Sequence, residues 1–269
     1  MYFCLSFHHM QTPISFYKYQ GTGNDFVMID NRGRNFKNDT KLINRLCDRK
    51  FGVGADGLIC LEDSDKADFK MVYFNADGNE STMCGNGGRC IVAFAKYLGL
   101  IQDYCVFVAA DGLHPAHIDD RYTVELKMND VQDIETYQTD FILDTGSPHY
   151  VTFVEDLNSI DTATSGRYIR NSKDFLENGI NVNFAEVKDD IIAMSTYERG
   201  VEDETLSCGT GVTAVALSAS YSNLVKGSVV EVKTKGGMLK VKFERTNTGF
   251  ENIYLIGPTM QVFKGVIEC

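Results

Sequence analysis

The chain has 269 residues, of which 43% are hydrophobic, and a formal net charge of −11. This length is ample for burying a core and suits two domains somewhat better than one. The acidic balance, with no cluster of Lys and Arg, argues against a nucleic-acid partner. No apolar run approaches the roughly 20 residues that cross a bilayer. We therefore expect a globular protein with a small-molecule ligand and with neither a nucleic-acid nor a membrane partner.

Eight cysteines are spread through the sequence, and none forms a Cys-x-x-Cys pair. A small secreted domain held by disulfides would be denser in cysteine, so we expect free thiols and a cytoplasmic location. Residues 1–9 lack a basic start, a sustained apolar stretch and a small-residue cleavage site. They therefore do not resemble a signal peptide, and we expect them to be an extension outside the fold.

Alternating and apolar segments predict many strands and few helices. Strands are predicted at 14–19, 26–29, 58–61, 68–74, 106–108, 122–128, 150–154, 182–187, 191–196 and within 254–266. Helices are predicted at 40–47, from Cys84 to about Leu98, and from Cys208 to about Asn223. The polar stretch 129–140 is the candidate crossover between domains. The lack of regular β-α-β alternation favours an α+β architecture with mixed or antiparallel sheets over a Rossmann sheet.

Two short stretches, 124 residues apart, read as copies of each other: Glu80-Ser-Thr-Met-Cys84-Gly-Asn-Gly and Glu204-Thr-Leu-Ser-Cys208-Gly-Thr-Gly. Each places a glutamate four residues before a cysteine, then Gly-polar-Gly, then helix-forming residues. This repetition predicts two related halves, each offering one cysteine at a helix start. We expect the two thiols to face one another across a single site.

The chemistry of this arrangement follows from the helix starts. A cysteine there lies beside unpaired backbone N–H groups and the positive end of the helix dipole, which should lower its pKa from about 8.5. The glycines let the backbone approach an anion, so two helix starts aimed at one point would hold a carboxylate. Two thiols on opposite faces of the neighbouring carbon would then move its proton from one face to the other. Oriented N–H groups stabilise the carbanion, so neither a metal nor pyridoxal phosphate is required.

Six motifs in one order along the chain resemble the diaminopimelate epimerase family: Thr22-Gly-Asn-Asp-Phe, Asn75-Ala-Asp-Gly-Asn-Glu, Cys84-Gly-Asn-Gly-Gly-Arg-Cys90, Gly146-Ser-Pro-His149, Asn181-Val-Asn-Phe, and Glu198-Arg-Gly followed by Cys208-Gly-Thr-Gly. Together they span residues 21–211, and several motifs in register are far more specific than any one. The resemblance implies a cofactor-independent isomerase that interconverts LL- and meso-2,6-diaminopimelate in lysine and peptidoglycan precursor synthesis.

The resemblance also implies a fold. It predicts two pseudo-symmetric domains, each a curved mixed or antiparallel sheet wrapped around a central helix, with the last strand returning to the first domain. On this basis we expect residues 10–128 and 255–269 to form the first half and residues 129–254 the second. A homodimer is implied by the resemblance alone.

Site residues are carried over motif by motif. The catalytic thiols fall on Cys84 and Cys208. The resemblance places contacts with the reacting end of the substrate at Asn24, Gly85, Asn86, Gly209 and Thr210. It places contacts with the distal amino-acid end at Asn75, Asn181, Glu198 and Arg199, and the groups that tune the thiols at His149 and Glu198.

Two positions depart from the family pattern. Ser147, which we also expect to bind substrate, stands where many members have asparagine and offers one donor in place of two. Gly57 stands where some members have a glutamine that contacts substrate. At either position a bridging water could complete the contact. The guanidinium of Arg199 suits bidentate capture of a second carboxylate, and Glu198 beside it could hold an ammonium group.

Other functions fit parts of the pattern. A proline or hydroxyproline racemase would use the same thiol pair, but Arg199 and Glu198 favour a substrate with a second charged amino-acid head. A metal or redox module could use Cys84, Cys90 and Cys208, although no His/Cys spacing resembles a zinc site. A non-catalytic amino-acid binder on the same scaffold is the third alternative. The Gly-rich loop 52–57 lacks the Lys-Ser/Thr ending of a phosphate-binding loop.

Overall fold

A computed structural model describes residues 13–268; the expected extension at residues 1–9 lies outside this range. The helices are α1 (Thr40–Cys47), α2 (Gly85–Tyr97), α3 (Thr162–Arg170) and α4 (Gly209–Tyr221), and a 3₁₀ turn spans Leu157–Ser159. The strands are β1 (Pro13–Gly21), β2 (Asn24–Asp30), β3 (Gly57–Glu62), β4 (Phe69–Asn75), β5 (Tyr104–Ala109), β6 (Gly112–Ile118), β7 (Thr123–Lys127), β8 (Glu135–Tyr137), β9 (Asp140–Asp144), β10 (Pro148–Phe153), β11 (Asn181–Lys188), β12 (Ile191–Glu198), β13 (Asp203–Thr205), β14 (Val229–Thr234), β15 (Gly237–Arg245), β16 (Phe250–Pro258) and β17 (Met260–Glu268).

The strands form one continuous hydrogen-bonded band. Backbone pairing follows the order β17-β1-β2-β3-β4-β5-β6-β7-β16-β15-β14-β12-β11-β10-β9-β8, and β13 pairs with the end of β12. The pairs β2–β3, β4–β5, β10–β11 and β12–β14 are parallel, and the other pairs are antiparallel. The predicted mixed sheet is therefore confirmed, and the two halves join where β7 pairs with β16.

The two halves repeat one topology. In the first, β1–β2 is antiparallel, β2–β3 parallel, β3–β4 antiparallel and β4–β5 parallel, with α2 between β4 and β5. In the second, β9, β10, β11, β12 and β14 follow the same sequence of pairings around α4. The register agrees as well, since Phe26 pairs with Gly57 in the first half and His149 with Asn181 in the second. The predicted pseudo-symmetry is confirmed.

Helices α2 and α4 lie inside the curves of their sheets. In each helix, eleven of the thirteen residues are buried, as expected for a helix that is surrounded by its domain. Helix α2 packs on β1–β4, β6, β7 and β16, and α4 packs on β9–β12 and β14–β16. Many residues of both helices are Gly, Ala or Ser, so the strands approach closely. No helix within residues 13–268 combines the length and apolar character needed to span a bilayer.

The predicted helices correspond to α1, α2 and α4 within two residues at each end. Gly99, predicted to end the first long helix, has a φ of +73° just beyond α2, where glycine avoids a steric penalty. Helix α3 and strand β6 were not predicted. Helix α3 buries only Thr162 and Gly166, so its sequence lacks the apolar periodicity that predicts a helix. Glycine is needed at position 166, because a Cβ there would lie 2.3 Å from the Cβ of Tyr197. The predicted crossover 129–140 contains the short strand β8.

Candidate active site

A cavity of about 850 Å³ lies between the two halves. The predicted catalytic and substrate-binding residues all line it: Asn24, Asn75, Cys84, Gly85, Asn86, Ser147, Asn181, Glu198, Arg199, Cys208, Gly209 and Thr210. His149 is fully buried and lies behind this wall. The structure thus brings together residues from six separated motifs.

The two cysteines occupy equivalent positions in their halves. Cys84 is the N-cap of α2 and Cys208 is the N-cap of α4. The helix starts are in backbone contact, because a Cβ on Gly209 would lie only 3.3 Å from the Cα of Gly85 and 2.9 Å from Cδ2 of Leu255. Glycine at both positions permits this approach. The unpaired N–H groups of both helices consequently open onto the same cavity as the thiols.

The Cys84 thiol is held by the first half. It donates to Oδ1 of Asn24 at 3.6 Å, and Nδ2 of Asn24 donates to Asp56 at 2.7 Å, which fixes the amide orientation. Burial raises the pKa of Cys84 to about 11, and the backbone N–H groups of Gly87 and Asn86 at the helix start lower it only in part. The sequence-based expectation of a lowered pKa is wrong here because burial outweighs the helix start.

A chain of hydrogen bonds leads to the Cys208 thiol. Nδ2 of Asn183 donates to Nδ1 of His149 at 3.1 Å, so the ring proton is assigned to Nε2, which donates to Oγ1 of Thr210 at 2.9 Å. The Thr210 proton is then free for the sulfur of Cys208 at 3.4 Å. Oδ1 of Asn183 accepts from Thr196 at 2.9 Å, which fixes the orientation of this amide as well.

The imidazole in this chain is neutral. Burial and the nearby Arg199 lower the pKa of His149 to about 3, so at neutral pH it acts as a hydrogen-bond donor and not as a cation. Burial also raises the pKa of Cys208, with Glu198 adding to the rise and Thr210 opposing it. A negative charge on Cys84 would add to the same rise. The expectation of a lowered thiol pKa is wrong for Cys208 too.

At the distal end of the cavity, Asn181 organises its neighbours. Its Nδ2 donates to Oγ of Ser147 at 2.8 Å, and its Oδ1 accepts from the backbone N–H of Arg199 at 2.9 Å. Nη1 of Arg199 donates to the carbonyl of Asn178 at 3.0 Å. Asn181 is only 3% exposed, so its amide holds Ser147 and Arg199 in place with little surface left for a ligand.

The side chains of Glu198 and Asn75 have fewer protein partners than that of Asn181. Burial raises the pKa of Glu198, with the Thr205 hydroxyl opposing and Asp56 adding to the effect, and within the described residues no Lys, Arg or His nitrogen lies within 4 Å of its carboxylate. Asn75 lies at the exposed end of β4, where it pairs with Gly57. Both side chains are available to a ligand in the cavity.

Several residues of the site were missed by the sequence analysis. Asp56 and Tyr73 line the cavity, and Asn183 orients His149. Asn183 could have been found, because it lies two residues after Asn181 and therefore on the same face of β11. Cys90, a candidate for a metal or redox module, is fully buried in α2. In the part of the chain that the structure describes, no group of three His, Cys, Asp or Glu side chains could hold a metal ion.

Comparisons with known proteins identify the family of this chain. The sequence model of the family described as Diaminopimelate epimerase matches residues 16–133 and 141–262. The chain is also 49% identical over 253 residues to the diaminopimelate epimerase of Flavobacterium psychrophilum, covering 93% of this chain and 99% of that protein. The chain belongs to the diaminopimelate epimerase family. A second member, from Chlorobaculum tepidum, is 42% identical over 92% of this chain and 98% of its own length. As a member of this family, the chain is an isomerase that acts as an epimerase.

Solved structures show the same fold at low sequence identity. A phenazine biosynthesis protein of the PhzF family from Bacillus anthracis has a TM-score of 0.77 at 13% identity, covering 95% of this chain and 99% of that one. A hydroxyproline epimerase from Agrobacterium vitis, with trans-4-hydroxy-L-proline bound, has a TM-score of 0.67 at 12% identity, covering 95% and 91%. The diaminopimelate epimerase family thus shares its two-domain architecture with these proteins.

Proposed function

We propose that this member of the diaminopimelate epimerase family interconverts LL- and meso-2,6-diaminopimelate by passing the α-proton between Cys84 and Cys208. The reaction belongs to lysine and peptidoglycan precursor synthesis. One observation carries the proposal: each half supplies a thiol at a helix start, and both thiols line one cavity where the helix starts touch.

The reacting carboxylate binds between the helix starts. Gly85, Asn86, Gly209 and Thr210 line the cavity at the helix starts, so their backbone N–H groups would donate to the carboxylate, and two helix dipoles add partial positive charge. When the α-proton leaves, negative charge spreads into this carboxylate, and the same donors stabilise it. Because these groups are already oriented by the fold, little reorganisation accompanies the reaction.

Proton transfer uses one sulfur on each face of the α-carbon. In either direction, one sulfur accepts the proton as a thiolate and the other releases its proton as a thiol. Backbone N–H groups of Gly87 and Asn86 stabilise a thiolate at Cys84, and the Thr210 hydroxyl stabilises one at Cys208. His149 tunes Cys208 through Thr210, and Asn24 orients the Cys84 thiol.

The far end of the substrate is a second amino-acid head. Arg199 binds its carboxylate, and Glu198 binds its ammonium group, with Asn75 completing the contacts from the first half. Asn181 and Ser147 hold the Arg199 loop. Burial raises the pKa of Glu198, and a bound ammonium group would lower it again by favouring the ionised carboxylate.

Solvent deuterium exchange tests the proposed chemistry. The wild-type protein should incorporate deuterium at the α-carbon during epimerisation, and Cys84→Ala and Cys208→Ala should not complete turnover. Cys105→Ala is the matched control, since Cys105 is a buried thiol in β5 and does not line the cavity. Full turnover in either cysteine variant would disprove the two-thiol mechanism.

Substrate comparison tests the distal assignment. Arg199→Met should raise KM for diaminopimelate by on the order of 100-fold, because it removes a charge-assisted pair of hydrogen bonds. Ser147→Ala, which removes only one neighbouring hydroxyl, should change KM by less than about tenfold. A wild-type protein that racemises proline but leaves diaminopimelate unchanged would overturn the substrate assignment.

We propose a homodimer that forms along β17. This strand ends the band and, among the described strands, pairs only with β1. Its exposed apolar side chains are Met260, Val262, Phe263 and Val266. An exposed apolar edge strand of nine residues is a ready template for a second chain. A monomer in analytical ultracentrifugation at micromolar concentration would contradict this assignment, and Val262→Lys should shift a dimer toward monomer.

We also propose a cytoplasmic location and retain the domain boundaries given above. Both thiols must stay reduced to exchange a proton, and the cytosol keeps thiols reduced. The pairing of β17 with β1 supports placing residues 255–269 with residues 10–128. Limited proteolysis should first cut between residues 129 and 134, and a first cut elsewhere would argue for a different boundary. A tagged protein recovered from an extracellular fraction would contradict the location.

A further inference from the structure

Arg89 is a fully buried cation directly behind the two helix starts. It lies in the second turn of α2, is 0% exposed, and is the largest completely buried side chain among residues 13–268. Among residues 13–268, no carboxylate forms an ion pair with it, and the side chains that oppose the effect of burial on its pKa are the neighbouring cysteines Cys90 and Cys84. Burial lowers the pKa of Arg89 to about 10, so it remains charged at neutral pH. A buried charge without a counter-ion is costly to folding.

The guanidinium binds three acceptors from three parts of the chain. Nη1 donates to the carbonyl of Pro258 at 2.9 Å, and Nη2 donates to Oδ1 of Asn86 at 2.6 Å and to Oγ1 of Thr22 at 3.2 Å. Nε has no partner within the described chain. Pro258 ends β16, which joins the two halves, and Thr22 lies in the β1–β2 turn. Arg89 therefore connects α2 to the strand that joins the two halves and to the β1–β2 turn.

The bond to Asn86 decides how that amide points. Arginine has only donors, so Oδ1 of Asn86 must face it, and Nδ2 must face away. Nδ2 then donates to Oδ1 of Asn24 at 3.2 Å and to the carbonyl of Ser207 at 3.0 Å. Asn24 accepts from the Cys84 thiol, and Ser207 immediately precedes Cys208. One amide, oriented by Arg89, thus links the surroundings of both sulfurs.

The backbone leaves room for a planar guanidinium at this point. A Cβ on Gly257 would lie 2.5 Å from Nη1 of Arg89, and a Cβ on Gly21 would lie 3.3 Å from Nη2. Both glycines belong to strands of the surrounding band, β16 and β1. An apolar side chain would fill this space without the penalty of a buried charge. The combination of a charge, a fitted space and directed bonds therefore points to a role beyond packing.

We propose that Arg89 is a positioning residue for epimerisation, which fixes Asn86 between the two thiol environments and places a positive charge behind the helix starts. This inference rests on the proposed function, because the charge acts on the substrate carboxylate bound there. The carboxylate gains negative charge as the α-proton leaves, so the stabilisation by Arg89 is larger in the transition state than in the bound substrate. Removing Arg89 should therefore affect kcat more than KM.

The test compares Arg89→Gln, which removes the charge, with Arg89→Lys, which keeps a cation that can reach only some of the acceptors. We expect Arg89→Gln to lower kcat by 10- to 100-fold, an order-of-magnitude figure for losing one nearby charge, with KM changed by less than about threefold. Arg89→Lys at pH 7 should recover part of kcat. Arg245→Gln is the matched control: Arg245 donates to the Ser220 carbonyl at the far end of α4, so its loss should lower Tm and leave kcat unchanged.

A second measurement separates charge from packing. The Arg89 charge favours the Cys84 thiolate, so in a Cys208→Ala background Arg89→Gln should slow alkylation of Cys84 by iodoacetamide at pH 8 several-fold. Faster alkylation would indicate a loosened structure and would overturn the proposal, as would an unchanged kcat in folded Arg89→Gln. Failure of the wild type to epimerise diaminopimelate would instead refute the proposed function. The two failures are distinguishable, because only failure of the proposed function is seen in the wild-type protein.

Discussion

The ring of Tyr73 occupies the space that a side chain at Gly57 would need. A Cβ on Gly57 would lie 2.6 Å from Cε2 of Tyr73, 3.2 Å from its hydroxyl oxygen and 2.6 Å from the carbonyl of Phe74. The ring packs edge-on against Phe26, with centroids 6.0 Å apart, and lines the cavity. Burial raises the pKa of Tyr73, so the phenol keeps its proton. At the position of Gly57, where the resemblance implies a glutamine in some family members, the phenol of Tyr73 thus fills the space in this chain.

Replacing Tyr73 with phenylalanine should weaken substrate binding. The change keeps the ring but removes the hydroxyl, which has no hydrogen-bond partner in residues 13–268 and is therefore available to the substrate. We expect KM for diaminopimelate to rise about 5- to 20-fold, the effect of one hydrogen bond to a charged group, with Tm unchanged. Tyr19→Phe is the control, since its hydroxyl binds Gln261 and does not line the cavity. An unchanged KM would exclude a substrate contact at Tyr73.

Replacing Thr210 with valine should impair Cys208. Valine has a similar shape but cannot donate to the sulfur or accept from His149, so the Cys208 thiolate loses its side-chain donor. We expect kcat to fall about tenfold and, in a Cys84→Ala background, alkylation of Cys208 to slow by a similar factor. Thr210→Ser retains the hydroxyl and should stay within about threefold of wild type. Equal losses in both variants would show that the packing of this side chain, and not its hydroxyl alone, supports catalysis.

The pH dependence of kcat/KM follows from the raised thiol pKa values. Below the pKa of about 11 at Cys84, the thiolate fraction of that cysteine increases tenfold for each pH unit. The pKa of Cys208 is also raised, so a thiol remains available as the acid over the same range. We therefore expect kcat/KM to rise steadily between pH 6 and pH 9. A plateau that begins near pH 6 would mean that a thiolate already exists at that pH.

Asp25 should contribute to stability above pH 4. Burial raises its pKa, but hydrogen bonds from Arg49 and Lys18 outweigh this effect and lower it to about 2. Because the folded pKa lies below the unfolded value of about 3.9, this stability is present above that pH and is lost as the pH falls toward 2. Asp25→Asn would also leave Lys18, which is 5% exposed, without its ion pair.

We expect Asp25→Asn to lower the free energy of unfolding by about 3 kcal/mol at pH 7, as for other broken buried pairs. Asp30→Asn, which breaks the more exposed pair with Arg32, should cost less than about 1 kcal/mol. Urea unfolding at pH 7 and pH 3 measures both. If Asp25→Asn were as stable as Asp30→Asn, the buried pair would have no net stabilising effect.

The sequence predicted the centre of the site better than its surroundings. Cys84 and Cys208 were found because their glycines and the following helices are local signals, readable without any knowledge of the fold. Arg89 belongs to the motif that runs from Cys84 to Cys90, but the sequence does not indicate its role, because its three acceptors come from separated parts of the chain. The thiol pKa direction was wrong for the same reason. Helix starts are visible in a sequence, whereas the depth of burial around Cys84 and Cys208 depends on the assembled sheets.

The repeat also has a consequence for how the substrate lies in the cavity. Because thiols and glycines are matched across the two halves, an approximate twofold axis passes between the helix starts. In the proposed mechanism, the two faces of the stereocentre therefore meet equivalent groups. The equivalence ends one layer further out, where Arg199 corresponds to Asn75, and Asn181 to Gly57, at the same spacing of 124 residues. At this pair of matched positions only the second half carries a guanidinium, and in the proposed binding mode it sets the direction in which the long arm of the substrate extends. In the proposed mechanism, the matched thiols and glycines allow the inversion, and the unmatched outer residues select which of two chemically similar ends is inverted.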